Sequence, residues 1–434
     1  MWRILDYVAQ LIKLQWKPQL GSGLPRRDRQ GCQYEAYIPD PLTGRRITLD
    51  GMTAADVTDA EKAVTQLNLE ARSLVNSEAL ARLLLRAEAV ASSKIEGLEI
   101  GSRRLLRAQA ARRSGEEPTD VTALEVLNNL DAMSWAIETL SAKKAIRTKD
   151  LLAIHARLLA GTRLEEHGGR IRTNQNWIGG SDYNPCSASF VPPPHEHVLA
   201  LLDDLCAFCN GDELPAIAQA AMVHAQFETI HPFVDGNGRT GRALIHVVLR
   251  RRAVVSDVVP PVSLVLATWS KAYVGGLTAT RYPGTPESPE AHEGTNRWIA
   301  LFATAMRRAV ADAHLYEQQV REIQERWRSR LGRVRSGSAA ELLIEALPGA
   351  PVMTVQSAAS LINRTEQAVN EALPRLLDAG VISQTTVGRR NRAFEAPELI
   401  DAFTDLERRL ASPDGNTRFS PPARPAPRRV QTAR

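Results

Sequence analysis

"HPFVDGNGRTGR", residues 231–242, packs one histidine, one carboxylate, three glycines, an asparagine and two arginines into twelve positions. Glycines let backbone N–H groups converge on an anion with no Cβ in the way, and a helix starting near Gly238 adds its positive end. Asn237 offers a side-chain donor beside them. Arg239 and Arg242 lie three apart on a first helical turn, so both guanidinium forks can face one side, where their planar charge suits phosphate. Asp235 stands just ahead of this nest. A carboxylate there repels phosphate unless a cation lies between them, which points to Mg²⁺ bridging Asp235 and phosphate oxygens. His231 is left for proton chemistry, because a neutral imidazole near working pH can accept a proton from an attacking hydroxyl. The stretch thus reads as one base, one metal ligand, an anion hole at Gly236, Asn237 and Gly238, and two phosphate clamps.

Two other phosphate motifs fare worse. Gly236, Gly238 and Gly241 match G-x-G-x-x-G, with Asp257 at a tolerable distance for a ribose contact, but that fingerprint must follow an apolar strand. Here "AAMVHAQFETIHP" precedes it with helical spacing and a proline. No G-x-x-x-x-G-K-[ST] occurs, so Walker-type nucleotide binding has no support.

Working outward, "GRIRTNQNWIGGSDYNPCSASFVPPPHEHV" combines β-formers, adjacent glycines and prolines, which predicts a hairpin ending in a rigid turn. Helical patterns flank it at 120–141, 148–160, 195–210, 215–230 and 239–252. Residues 53–113 also carry helical spacing, and a block with Trp269, Tyr273, Trp298 and Phe302 as core residues runs to about 330. "YIPDPLTG" at 37–44 is proline-punctuated and extended. "MWRILDYVAQLIKLQW" places Ile4, Leu5, Val8, Leu11 and Ile12 on one helical face, so it reads as a docking helix rather than a signal peptide.

The 434 residues are too many for one ordinary core, and 44% apolar with 24% charged content belongs to a globular protein. No stretch reaches the eighteen or more apolar residues of a membrane span, and a cytoplasmic location is the default expectation. Four cysteines in so long a chain make no disulfide framework, and Cys206 and Cys209 read as buried small side chains. The net charge of +5 is mild, but residues 411–434 hold five arginines against one acid and are Pro-rich, a composition expected to be disordered.

With these residues in place, the chain resembles the Fic family. Residues 231–242 match its signature His-x-Phe-x-(Asp/Glu)-Gly-Asn-Gly-Arg-x-x-Arg at every fixed position, and "LLAIHARLLAG", "GGRIRTNQNWIGG", "FVPPPHEHV" and "YIPDPL" resemble its neighbouring segments. The resemblance implies transfer of AMP from ATP to a Ser, Thr or Tyr hydroxyl of a protein. It makes His231 the base and Asp235 the holder of Mg²⁺. Gly236, Asn237 and Gly238 become the anion hole, and Arg239 and Arg242 hold the outer phosphates. Phe233 becomes a core anchor for the loop. The segment 172–191 would be a flap whose edge pairs with an extended target strand. Some relatives move other nucleotides or remove AMP, and the motif does not settle which.

"SSKIEG", 92–97, resembles the family's inhibitory motif as Ser92, Glu96 and Gly97. A Glu at a helix C-terminus opposes the macrodipole, which becomes sensible if a cation compensates it. The resemblance implies that Glu96 pairs with Arg242 and blocks the γ-phosphate seat in cis.

Residues 339–410 form a small unit of their own. "AAELLIEAL", "TVQSAASLI" and "RTEQAVNEALPRLLDAGVI" read as three helices, and "SQTTVGRRNRAFEAP" as a hairpin with Arg389, Arg390 and Arg392 at its turn. This resembles a winged helix-turn-helix with its recognition helix from about Thr365, which Pro374 should kink. Arg364, Gln367 and Asn370 are its few base-reading candidates. DNA binding and protein contact, including a homodimer, stand level.

The expected fold is mainly α: a Fic-type helical bundle with a β-hairpin flap, plus a small C-terminal winged-helix domain. The expected boundaries are 1–115, an N-terminal helical segment with the inhibitory helix; 116–332, the catalytic domain; 339–410, the winged helix; and 411–434, a disordered tail. The leading expectation is a Mg²⁺-dependent protein adenylyltransferase restrained by Glu96. The alternatives are a DNA-binding regulator that senses nucleotide without turnover, removal of AMP, and transfer of another nucleotide.

Overall fold

The computed structural model describes residues 8–17, 28–73, 77–387 and 391–409. Helices dominate. In chain order they are α1 (Gly51–Ser73), α2 (Ser77–Ile95), α3 (Ser102–Arg113), α4 (Val121–Trp135), α5 (Thr148–Leu159), α6 (His195–Asn210), α7 (Ala216–Ile230) and α8 (Asn237–Arg251). Then come α9 (Val262–Thr268), α10 (Ser270–Ala279), α11 (Pro289–Leu331), α12 (Ala339–Ala346), α13 (Val355–Ile362), α14 (Glu366–Asp378) and α15 (Pro397–Arg409). Strands β1 (Gln10–Trp16) and β2 (Cys32–Ile38) form one antiparallel pair. A second sheet has the order β3 (Val352–Thr354), β5 (Asn391–Glu395), β4 (Ser383–Val387).

These elements fall into two compact units that do not follow chain order. One holds residues to 73, 124–259 and 271–307, and the other holds 74–123, 260–270 and 308 onward. The boundaries at 115 and 332 therefore do not coincide with the units, since α2 and α3 cluster with the C-terminal elements.

The first unit is built around α7, whose fifteen residues are all buried, and α8, buried from Asn237 to Leu249. Small side chains on α7 (Ala218, Ala220, Ala221, Ala225) allow close approach from several sides. Trp298 of α11 donates its indole N–H to the Ala221 carbonyl at 2.8 Å. Residues 37–40 are buried, and a turn with exposed Thr43 and Gly44 follows: Tyr282 donates to Asp40 at 2.8 Å, and Tyr37 donates to the Tyr282 carbonyl at 2.9 Å.

At the N-terminus the structure departs from the docking helix read from the sequence. Residues 1–7 lie outside the described residues, but Gln10–Trp16 is a strand in register from Gln10 opposite Ile38 to Trp16 opposite Cys32. Ile12, Leu14 and Trp16 are half-buried, whereas Leu11, Lys13 and Gln15 are exposed. That period of two is the strand's, and pairing with β2 decides it over the helical spacing. The cysteine expectation also needs correction, because Cys32 of β2 is bonded to Cys186. Cys206 and Cys209 are free and buried, and burial raises both thiol pKa values, that of Cys206 to about 12.

In the second unit α2 is anchored through Glu88. Its buried carboxylate accepts from the Ser263 backbone N–H at 2.8 Å and from the Ser263 hydroxyl, at the start of α9. Buried Arg86 donates to the Gly349 carbonyl at 2.8 Å. In the C-terminal region α12, β3, α13, α14, β4, β5 and α15 follow one another around Phe394, Leu373 and Phe403. Thr365 caps α14 by accepting from the Ala368 N–H at 3.2 Å, and α14 runs through Pro374. Arg389 and Arg390, and the tail from 411, lie outside the described residues. No helix among the described residues is long and apolar enough to cross a membrane.

Candidate active site

Helix α7 ends at His231, whose backbone turns into the left-handed region at φ 49°, ψ 60°. A non-glycine residue held there costs on the order of 1–3 kcal/mol and persists only where its surroundings fix it. Buried Arg172 supplies much of that fixation. Its Nε donates to the His231 carbonyl at 2.9 Å and its Nη1 to the Asn174 carbonyl at 3.0 Å, while its own N–H donates to Pro232 O at 3.0 Å. Asn176 Nδ2 adds donations to the carbonyls of His231 and Phe233 at 3.2 and 3.1 Å. The base of the flap thereby clamps the histidine's backbone and leaves the imidazole one-fifth exposed.

The turn after His231 closes on Phe233 and Gly236. Phe233 is fully buried and stacks on the His155 ring at 3.7 Å. Gly236 caps α8 with φ 75°, and a Cβ there would stand 2.8 Å from Leu158 Cδ2. Only glycine meets both demands. Asn237 also has a structural part in the turn. Its Nδ2 donates to the Phe233 carbonyl at 2.9 Å and its Oδ1 accepts from the Phe233 N–H at 2.8 Å. One Nδ2 N–H and Oδ1 thereby hold the turn, while the amide nitrogen carries a second N–H and the backbone N–H stands at the start of α8. Gly238 is buried in the first turn of α8.

Arg239 and Arg242 are both buried. Arg239 Nη2 donates to Asp235 Oδ2 at 2.9 Å, and Nη1 comes no closer than 3.6 Å to Glu125 Oε2. Neither Nε nor Nη1 of Arg239 has a hydrogen-bond acceptor among the described residues. Buried donors without acceptors are uncommon and mark a place for an anion. Asp235 is half exposed. No group of three or more His, Cys, Asp or Glu side chains that could hold a metal ion occurs among the described residues.

His155 was not singled out from the sequence, where it is a lone polar residue in "LLAIHARLLAG". It is fully buried; Nδ1 accepts from the Gly169 N–H at 3.1 Å, so Nε2 must donate to the Asp235 carbonyl at 3.0 Å. Burial pushes its pKa down to about 4. The stability this neutral ring supports is full above the ordinary histidine pKa near 6.5 and is lost as pH falls toward 4, because the unfolded ring gains a proton across that window and the buried one does not. The contribution is on the order of 2–3 kcal/mol. His155→Gln is expected to flatten this part of the stability–pH curve, measured by urea unfolding from pH 7 to 4. An unchanged slope contradicts the assignment.

The flap itself is less regular than the hairpin expected. One antiparallel bridge joins Ile178 and Phe190, and residues 185–187 form a 3₁₀ turn carrying Cys186. The flap is tied to the N-terminal strands by the Cys32–Cys186 bond and by Trp16 edge-on to Trp177 at 5.5 Å, and to the turn before β2 by Ser181 donating to Asp28 at 2.7 Å.

The second cluster singled out from the sequence belongs to the other unit. Ser92 is fully buried on α2, whereas Glu96 lies in the exposed turn that follows, where Gly97 adopts φ 85°. The Glu96 N–H donates to the Ser93 carbonyl at 3.1 Å.

The chain is similar to known proteins over part of its length. Residues 145–249 match the sequence profile of the Fic/DOC family, and residues 54–138 match that of the Fic/DOC family N-terminal region. "Protein adenylyltransferase fic-1" of Caenorhabditis elegans is 27% identical over 255 residues, 56% of this chain and 47% of that protein. "Protein adenylyltransferase Fic" of Drosophila virilis is 33% identical over 139 residues, 31% of this chain and 27% of that protein. The chain thus spans about half or less of the curated relatives it matches. A Fic family protein of Desulfovibrio desulfuricans G20 superposes with a TM-score of 0.49 at 19% identity, covering 80% of this chain and 97% of that one.

Proposed function

The chain belongs to the Fic/DOC family, and from that premise we propose that it transfers AMP from ATP to a Ser, Thr or Tyr hydroxyl of a protein, itself included. The observation that carries the proposal is the pairing of a clamped, partly exposed imidazole at His231 with a buried guanidinium at Arg239 whose Nε and Nη1 lack acceptors. The start of α8 lies between them in the chain and adds its N–H groups and positive dipole end.

In this reading His231 Nε2 accepts the proton of the target hydroxyl as its oxygen bonds to the α-phosphorus. The bond from that phosphorus to the bridging oxygen breaks, and pyrophosphate leaves. Gly236, Asn237 and Gly238 direct backbone N–H groups at phosphate oxygens. Arg239 and Arg242 hold the outer phosphates. Asp235 is the residue that would hold Mg²⁺, whose charge would offset that of the phosphates. Glu96 acts as a brake by holding Arg242, with Ser92 and Gly97 shaping the end of α2. The flap presents an extended target by main-chain pairing. Incubation with Mg²⁺ and each nucleoside triphosphate, followed by intact-mass measurement, tests this: an AMP-sized increment with ATP supports it, and none with any nucleotide removes it.

The C-terminal elements fit a winged helix, with Arg364, Gln367 and Asn370 exposed at the start of α14. Glu366 and Glu371 are exposed on the same helix and oppose a phosphate backbone. This composition favours a protein contact, including a second copy of the chain. Random duplex DNA is expected not to shift in a native gel at low salt, and a salt-sensitive shift would reverse this choice. A cytoplasmic location remains a proposal of the sequence, and the Cys32–Cys186 bond speaks for an oxidising compartment instead. Alkylation of protein taken directly from its cells decides between the two.

A further inference from the structure

Three residues before the histidine, in "FETIHP", stands the one carboxylate of the buried helix α7. Glu228 is buried on α7, and its Oε2 lies 3.9 Å from Nδ1 of His231. A buried carboxylate is costly without compensation, and Arg281 supplies it: its pKa is lowered by burial to about 10, and the charge of Glu228 works against that lowering. Arg281 is oriented by donating to Thr229 Oγ1 at 3.3 Å and by lying 3.5 Å over the ring of Phe190, at the end of the flap. Space for the carboxylate comes from Gly241, where a Cβ would stand 3.3 Å from Glu228 Oε1 and 3.0 Å from Phe227 Cδ1.

We infer that Glu228 is a positioning residue for His231, drawing the Nδ1–H toward its carboxylate so that Nε2 is left unprotonated and turned toward the reacting hydroxyl. At 3.9 Å the carboxylate acts on the ring through its charge and not through a hydrogen bond, and a negative charge beside Nδ1 favours the tautomer that carries its proton there. Of the other charged groups, Arg172 engages the histidine's carbonyl and Arg281 acts on Glu228 through its charge. His224 is buried and neutral, its pKa lowered to about 3 by burial and by Arg242. The inference rests on His231 being the proton acceptor of the proposed reaction.

The test uses the full chain with ¹⁵N-labelled histidine, in wild type, Glu228→Gln and Glu228→Asp, without nucleotide. In wild type the neutral His231 ring is expected to be the Nδ1–H tautomer. Glu228→Gln keeps the volume and loses the charge, so the Nε2–H form should appear and the ring pKa should fall by about one unit. Glu228→Asp should restore the wild-type tautomer in part. A wild-type ring in the Nε2–H form, or a Glu228→Gln ring with unchanged tautomer and pKa, overturns the inference. AMP transfer is then followed against pH in the Glu96→Gly background. The acid limb of kcat should move down with the ring pKa in Glu228→Gln while KM for ATP stays unchanged; an unmoved limb also overturns it. If no background transfers AMP at all, the proposed function fails while the tautomer measurement still judges Glu228.

Discussion

His231→Ala is expected to abolish transfer of AMP while the protein stays folded. A positioned general base contributes about 10²–10⁴-fold, so residual transfer should fall to or below a hundredth of the parent rate. The fold survives because the contacts that hold this turn are to main-chain atoms, which alanine retains. Arg172 Nε and Asn176 Nδ2 both donate to the residue 231 carbonyl, and the residue 231 N–H donates to the Phe227 carbonyl at 2.9 Å. The substitution is made in the Glu96→Gly background and read by intact mass with ATP and Mg²⁺, with thermal unfolding as the control. Undiminished labelling by a folded variant contradicts the assignment of the base.

Glu96→Gly is expected to raise self-modification by about tenfold or more, the range of a coupling worth 1–3 kcal/mol. The carboxylate sits in the exposed turn after α2, and thermal unfolding of the variant beside wild type separates release of a restraint from a packing defect. A large gain in activity with no change in stability is the signature of a restraint and not of a packing defect. Equal labelling of wild type and Glu96→Gly at saturating ATP contradicts the brake.

Much of this site was legible in the sequence because its chemistry is local. The glycines, Asp235, His231 and the two arginines follow one another within a single loop and the first two turns of α8, so they are neighbours in the chain. The helical pattern ahead of Gly236 was enough to set aside the dinucleotide fingerprint, and α7 occupies the place a strand would need. What the sequence hid depends on partners distant in the chain. Arg172 and Asn176 matter because the flap folds back onto the His231 carbonyl, and nothing in "GRIRTNQNW" says so. Nor does the sequence signal that the Asn237 amide holds the turn through two complementary bonds to Phe233 four residues away. The strand at Gln10–Trp16 carries apolar residues compatible with both periods, and only pairing with Cys32–Ile38 selects one of them. Pairing of Cys32 with Cys186 spans 154 residues and leaves no mark in local spacing.

The central claim is that the turn at 231–242 seats a magnesium-bound triphosphate against the imidazole of His231. A crystal structure of the Glu96→Gly protein with Mg²⁺ and a non-hydrolysable ATP analogue tests it most directly. The expected density has the phosphates over the start of α8, the guanidinium of Arg239 on an outer phosphate, and His231 Nε2 facing the α-phosphorus. An empty turn at saturating analogue, or an imidazole directed away from phosphorus, contradicts the account.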